Sequence, residues 1–239
     1  MTAWLRLARV SNLPTVASNT VAGVAVAAAL ANPVPVPLWA VLDAGFMVIL
    51  GGALLYTGGM LLNDVCDARV DAVERPGRPI PAGRVTRRAA ALVAAVCLLT
   101  GAAAFGVFRE PRVWSGAAAL LLLIVAYNLI HTRTAASVLL IAACRGLLSL
   151  TALMTVLPPA ELRAAWLLPL ALAAHTLALS AYARREVARD RAPRVGHLIA
   201  AMPLIDAAAC AFAGAHEAAL LCLALASLTV MLQRTIPGS

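Results

Sequence analysis

Residues 37–71 read PLWAVLDAGFMVILGGALLYTGGMLLNDVCDARVD. Up to Leu62 the stretch carries a single charge, Asp43, and then an amide and three acids follow: Asn63, Asp64, Asp67 and Asp71. A bilayer core about 30 Å thick is crossed by roughly 20 apolar residues in a helix, so the first part is long enough to span it. Backbone in lipid must satisfy its own hydrogen bonds, which makes such a span helical. The acids then stand where the chain leaves the apolar phase.

The same pattern recurs outward in both directions. Apolar spans at about 13–32, 37–62, 86–108, 113–131, 135–157, 163–182, 195–214 and 217–234 predict an all-α, polytopic transmembrane bundle of eight helices, one domain over residues 1–239. Composition agrees. The chain is 62% hydrophobic and 13% charged, against about 25% charged in a soluble domain, and its mean hydropathy is +0.89. Ala, Gly and Ser are abundant in the spans, as close helix packing in lipid favours.

The net charge is +8 and all 19 basic residues are Arg. They lie in short segments between spans and not on one face, which argues against a nucleic-acid partner. Fifteen fall on one side of the predicted bundle and three, Arg109, Arg112 and Arg163, on the other, with Arg145 inside the fifth span. The positive-inside rule therefore places both termini and the two long polar loops in the cytoplasm. The expectation is a multi-pass protein of a bacterial inner membrane, with the bilayer as its main partner. The N-terminus shows no charged region followed by a small-residue cleavage site, so the first helix is expected to be retained. The five cysteines form no C-x-x-C pair and no zinc spacing.

If the helix runs on past Leu62, Asp64, Asp67 and Asp71 share one face and repel one another. A hard cation such as Mg2+ removes that cost and leaves positions open for a substrate phosphate. Acids at a membrane boundary are functional by default, which favours this over a solvated helix end. Asn63, Asp64, Asp67 and Asp71 are therefore the expected metal ligands, and the three Asp the expected catalytic residues. The next segment, Glu74-Arg75-Pro76-Gly77-Arg78-Pro79-Ile80-Pro81-Ala82-Gly83-Arg84, is rich in turn formers. It can hold Arg75 and Arg78 toward the acids to bind diphosphate oxygens, while Arg84, Arg87 and Arg88 serve orientation.

A second group, Tyr182-Ala183-Arg184-Arg185-Glu186-Val187-Ala188-Arg189-Asp190, repeats the spacing in part. Glu186 and Asp190 match Asp67 and Asp71, but Ala183 stands where Asp64 would be. The residues leave open whether it holds a second Mg2+. Five polar residues are candidates for a cavity within the bundle: Asn12, Asn19, Tyr127, Arg145 and Tyr182. Arg145 is the one of these that should face the interior or snorkel. Ser11 or Asn12 reads equally well as a helix cap ahead of Pro14. His175 and His197 read as packing residues, and Asp43 and Asp206 as residues near interfaces.

Asn63-Asp64-x-x-Asp67-x-x-x-Asp71 followed by Arg75-x-x-Arg78-Pro79-x-x-x-Gly83 resembles the first signature of the UbiA superfamily of intramembrane prenyltransferases. Three shorter stretches are most similar to its EboC-type branch: Arg6-Leu7-x-Arg9-x-Ser11-Asn12-Leu13-Pro14-Thr15, Cys144-Arg145-Gly146-Leu147 and Tyr182-x-x-Arg185-Glu186. The resemblance implies a UbiA-like bundle and Mg2+-dependent transfer of a prenyl group from a prenyl diphosphate to an aromatic or polar acceptor. It implies Asn63, Asp64, Asp67 and Asp71 on metal, Arg75, Arg78 and Arg185 on diphosphate, and Glu186 and Asp190 in a degenerate second site. The chain departs from the pattern in the missing acid of that second group and in eight predicted spans against the usual nine. The same residues would also suit an intramembrane terpene cyclase, or a membrane protein that binds a prenyl diphosphate without turning it over.

Overall fold

The computed structural model describes residues 2–31, 34, 36–131, 134, 136–187 and 195–236, without the side chains of 186 and 187. The described residues form helices and connecting turns, with no strand. A short α1 (Thr2–Leu7) leads through a 3-10 turn (Val10–Asn12) into α2 (Leu13–Ala31); then come α3 (Leu38–Glu74), α4 (Arg87–Ala104), a second 3-10 turn (Phe105–Val107), α5 (Pro111–Ile130), α6 (Ser137–Met154), a short α7 (Leu162–Ala165), α8 (Leu167–Val187), α9 (Val195–Ala200), α10 (Met202–Phe212) and α11 (His216–Thr235). Eight segments are long and apolar enough to cross a membrane, within a few residues of the predicted spans except that the second runs on from Leu62 to Glu74. The seventh of them is broken into α9 and α10, with Pro203 in the first turn of α10.

Helix α2 is the central post. It packs against α3, α6, α10 and α11, and most of its residues are buried. That burial explains its composition: small and β-branched apolar side chains with Ser18, Asn19 and Thr20 facing other helices instead of lipid. Exposed Leu, Val, Phe and Trp elsewhere, such as Trp39, Phe46, Leu122 and Phe212, cover the outer surface. In water this would be a liability; in a bilayer it is the expected solvent contact.

At 1.5 Å per residue the 37-residue α3 is about 55 Å long, nearly twice the apolar core of a bilayer. The helix therefore runs on through the acidic stretch and ends only at Glu74. Helix α4 returns along it, and the two touch at glycine. A Cβ on Gly101 would lie 2.8 Å from the Leu55 nitrogen and 3.0 Å from the Gly51 oxygen, and one on Gly51 would lie 2.6 Å from the Phe105 ring. Contact of this kind between backbones fixes the direction of α3 beyond the membrane.

Candidate active site

The C-terminal turns of α3 carry Asn63, Asp64 and Asp71 as buried residues and Asp67 as partly buried. Because α3 runs on through Asp71, the three acids stand on one continuous helix, where Asp64 and Asp71 face Arg78 and Asp67 faces His131. Arg78 Nη1 lies 2.7 Å from Asp71 Oδ2 and 3.4 Å from Asp64 Oδ1. Asp67 turns the other way, with an oxygen 3.0 Å from His131 Nε2. Among the described residues no three acids, histidines or cysteines are grouped as a metal centre.

Arg78 reaches the acids because the Pro- and Gly-rich segment folds back beneath α3. Arg75 N–H donates to the Asp71 carbonyl and Arg78 N–H to that of Arg75. Gly83 takes φ +70, where a side chain would be strained, and Arg84 donates to the Gly77 carbonyl. Thr86 caps α4 through Ala89 N–H, and Arg87 Nε donates to the Val65 carbonyl at 3.0 Å. Arg87, one of three Arg that orientation is expected to explain in part, thus also ties the loop to the acidic helix.

Two more residues complete the group. Arg9 has φ 45 and ψ 49, the left-handed region that an L side chain enters at a cost of order 1 kcal/mol. From there Arg9 Nη2 comes within 3.4 Å of Asn63 Oδ1 and 3.8 Å of Asp64 Oδ1. His131, just beyond α5, stacks on Tyr127 at 5.2 Å between ring centres. Its Nδ1 lies 3.2 Å from the Asn128 carbonyl and its Nε2 3.2 Å from the Asn63 amide nitrogen. The hydrogen bond to Asp67 raises the imidazole pKa above its ordinary value, against partial burial, which lowers it.

Beside this group opens a cavity of about 250 Å³. Arg9, Asn12, Tyr127 and Asn128 line it together with apolar Val16, Leu55, Leu120, Ile124 and Leu148, and so does Arg145 from α6. Arg145 is interior, as expected, and donates to Asn19 Oδ1 at 2.7 Å and Thr15 Oγ1 at 3.3 Å. Asn19 in turn donates to Asp206 Oδ2 at 2.6 Å, and Ser18 donates to the same oxygen.

Several sequence expectations need revision. Arg75 is exposed, and its hydrogen bond to the acidic turn is made by its backbone. Arg185 is exposed at the end of α8, Asp190 lies outside the described residues, and so does the Glu186 side chain. Asn19 stands behind the cavity wall instead of on it, holding Arg145. Tyr182 lines a separate opening between α8 and α9 with His175 and His197; His175 Nε2 lies 2.9 Å from the Leu198 carbonyl, consistent with a packing role. Asn12 caps nothing with its side chain, and its Oδ1 accepts from Gln233 at 3.2 Å. Asp206, expected near an interface, is fully buried within the bundle. His131 was missed entirely; a polar trio, Tyr127, Asn128 and His131, closing an apolar span was the signal that pointed to it.

The profile of the UbiA prenyltransferase family matches residues 20–237. Digeranylgeranylglyceryl phosphate synthases from Methanopyrus kandleri and Methanothrix thermoacetophila are 39% and 35% identical over 102 and 103 residues, which is 42% and 41% of this chain and 34% and 35% of theirs. The matched stretch therefore spans about a third of the length of these curated relatives. A solved structure of digeranylgeranylglyceryl phosphate synthase superposes with a TM-score of 0.64 at 13% identity, covering 98% of this chain and 93% of the other. A UbiA homologue from Archaeoglobus fulgidus, bound to GPP and Mg2+, superposes at 0.56 and 16% identity over 98% and 87%. The names of these relatives do not bear out the narrower likeness to the EboC-type branch, which rested on three short motifs. With the profile covering nearly its whole length, the chain belongs to the UbiA prenyltransferase family.

Proposed function

We propose that the chain transfers a prenyl group from a prenyl diphosphate to an acceptor, in a Mg2+-dependent reaction at the cytoplasmic face of the membrane. The observation that carries this reading is the placement of Asn63, Asp64, Asp67 and Asp71, with Arg78 and Arg9, beside an apolar cavity. The donor set suits Mg2+: every candidate ligand offers oxygen, and carboxylates dominate. The contacts of these acids with Arg78, Arg9 and His131 support a site that attracts positive charge. Asn63, Asp64, Asp67 and Asp71 would hold the metal, which when bound would neutralise charge on the departing diphosphate.

The chain's own residues supply the rest. Arg78 and Arg9 are within reach of anionic oxygens brought to the acidic face, and guanidinium forks suit them. The apolar walls exclude water, so that the allylic cation formed as the C–O bond breaks meets the acceptor first. The Archaeoglobus fulgidus homologues bound to GPP or DMAPP with Mg2+ support the donor class and the metal. The name shared by the curated relatives supports an isoprenoid product.

The test uses purified protein in lipid nanodiscs with Mg2+, prenyl diphosphates of ten to twenty carbons, and aromatic and glyceryl acceptors. Diphosphate release with formation of a prenylated acceptor is expected, with loss on chelation and in Asp67→Ala. A cyclic hydrocarbon formed without acceptor would instead mark a cyclase. Mg2+-dependent binding with no turnover across the panel would mark a carrier and sink the transferase reading.

A further inference from the structure

Arg145 differs from the other buried guanidiniums of this molecule. Arg78 and Arg9 each lie within 4 Å of a carboxylate. Arg145, among the described residues, has neutral oxygens as its direct partners: the Asn19 amide and the Thr15 hydroxyl. Its nearest compensation is one residue removed, through Asn19 to Asp206. That relay is oriented at both ends, since the Asn19 oxygen accepts from Arg145 and its nitrogen donates to Asp206. Asp206 keeps one oxygen, Oδ1, without a partner. A guanidinium has five N–H donors; two hydrogen bonds to protein are accounted for, and the group lines the cavity.

A cation held at membrane depth with neutral direct partners is expensive. The cavity wall offers neutral hydroxyls, Tyr56, Thr176 and Ser180, but among the described residues no carboxylate lines it. A prenyl tail cannot answer the charge either. The proposed diphosphate partners are other residues, Arg9, which lines the same cavity, and Arg78, which lies against Asp64 and Asp71. A bare guanidinium in the same cavity would also oppose an allylic cation forming there. The missing partner is an anion that arrives with the second substrate.

We propose that Arg145 recognises an acidic group on the acceptor, a phosphate monoester or a carboxylate, held by the guanidinium fork and presented from the Asn19–Asp206 relay. This deepens the prenyl-transfer reading and rests on it, but it is tested by binding alone. Two matched pairs of probes serve: hexadecylglycerol phosphate with hexadecylglycerol, and para-hydroxybenzoate with para-hydroxybenzyl alcohol. Affinities are measured by calorimetry in nanodiscs, and the integrity of each variant by its Mg2+-dependent binding of geranyl diphosphate.

Wild type is expected to bind the acidic member of at least one pair about tenfold more tightly than its neutral counterpart, the scale of one charge-assisted fork. The pair that shows the preference distinguishes a lipid phosphate from an aromatic carboxylate. Arg145→Gln should erase the preference while geranyl diphosphate binding persists, and Arg145→Lys should keep part of it. Asp206→Asn should increase it severalfold, because the internal rival anion is gone; a purely structural relay would lose affinity in both variants. Equal binding of acidic and neutral probes by wild type overturns the proposal. So does a preference unchanged in Arg145→Lys and Asp206→Asn, which decides the matter even if Arg145→Gln does not fold. Absence of prenyl transfer together with an Arg145-dependent preference would reject the reaction while keeping the anion site.

Discussion

At the scale of single residues, the acids of the proposed site are paired with cationic side chains. Arg78 touches Asp64 and Asp71 at once. Arg78→Ala would leave buried Asp71 without its counter-charge and Asp64 with Arg9 alone at 3.8 Å, and would remove a fork from the diphosphate. A charge-assisted hydrogen bond contributes about 1.5–3 kcal/mol, so affinity for geranyl diphosphate at saturating Mg2+ should fall about ten- to a hundredfold. Arg78→Lys should recover part of it, and calorimetry in nanodiscs reads both. Arg9 allows a sharper separation of backbone from side chain. Because its φ is 45, Arg9→Gly relieves strain that Arg9→Ala retains, and both lose the contacts to Asn63 and Asp64. The Gly variant should be the more stable by about 1 kcal/mol, seen in its thermal midpoint, while diphosphate affinity falls equally in the two. If the midpoints coincide, the left-handed turn is not a source of strain. Sequence could name Arg78 because its segment of Pro and Gly has one sensible use. It could not name His131, whose partner Asp67 is 64 residues away, nor show that Asp206 is buried, since both depend on which helices become neighbours.

Among the helices, the decisive feature is the close contact of α3 and α4. Helix α3 leaves the membrane still helical, and its acids keep their direction because α4 lies against it at Gly51, Gly58 and Gly101. A Cβ at Gly58 would meet the Leu98 side chain at 2.7 Å and the Ala94 oxygen at 3.0 Å, so the fit is tight over nearly the full length of α4. Gly101→Ala places a methyl against backbone atoms that cannot yield, and should destabilise the protein by about 1–3 kcal/mol. Because Arg87 of α4 bonds the Val65 carbonyl next to the acids, the same change should weaken geranyl diphosphate binding severalfold. Gly106→Ala is the control: its added Cβ would meet nothing within 4 Å, and both properties should stay within about 0.5 kcal/mol of wild type. Thermal unfolding in detergent measures the first effect and titration the second. The spans themselves were legible from apolar length. Continuation of α3 through Asp71 was legible only as a condition, because an acidic stretch satisfies both a helix face and a loop. The glycines gave no warning of which would touch, since small residues occur throughout the chain.

For the whole molecule, the remaining question is which side of the membrane carries the acidic group. The fold fixes a relation: α3 and α4 form a hairpin, so the segment between them, containing Gly77, lies opposite the segment between α4 and α5, containing Arg109. With fifteen Arg on one side against three on the other, the positive-inside rule predicts a cytoplasmic Gly77 segment. Both positions are exposed, and a Cβ at Gly77 would meet nothing within 4 Å, so single cysteines can be placed there without strain. In a background lacking the five native cysteines, Gly77→Cys should react with a membrane-impermeant maleimide only in inside-out vesicles, and Arg109→Cys only in intact spheroplasts. Removing Arg109 leaves the charge bias intact, so that variant does not disturb what it reports. The reverse labelling would put the acidic helix end outside the cell, away from a cytoplasmic supply of prenyl diphosphate. Labelling of both positions from one side would break the α3–α4 hairpin and, with it, the placement of the acids beside the cavity.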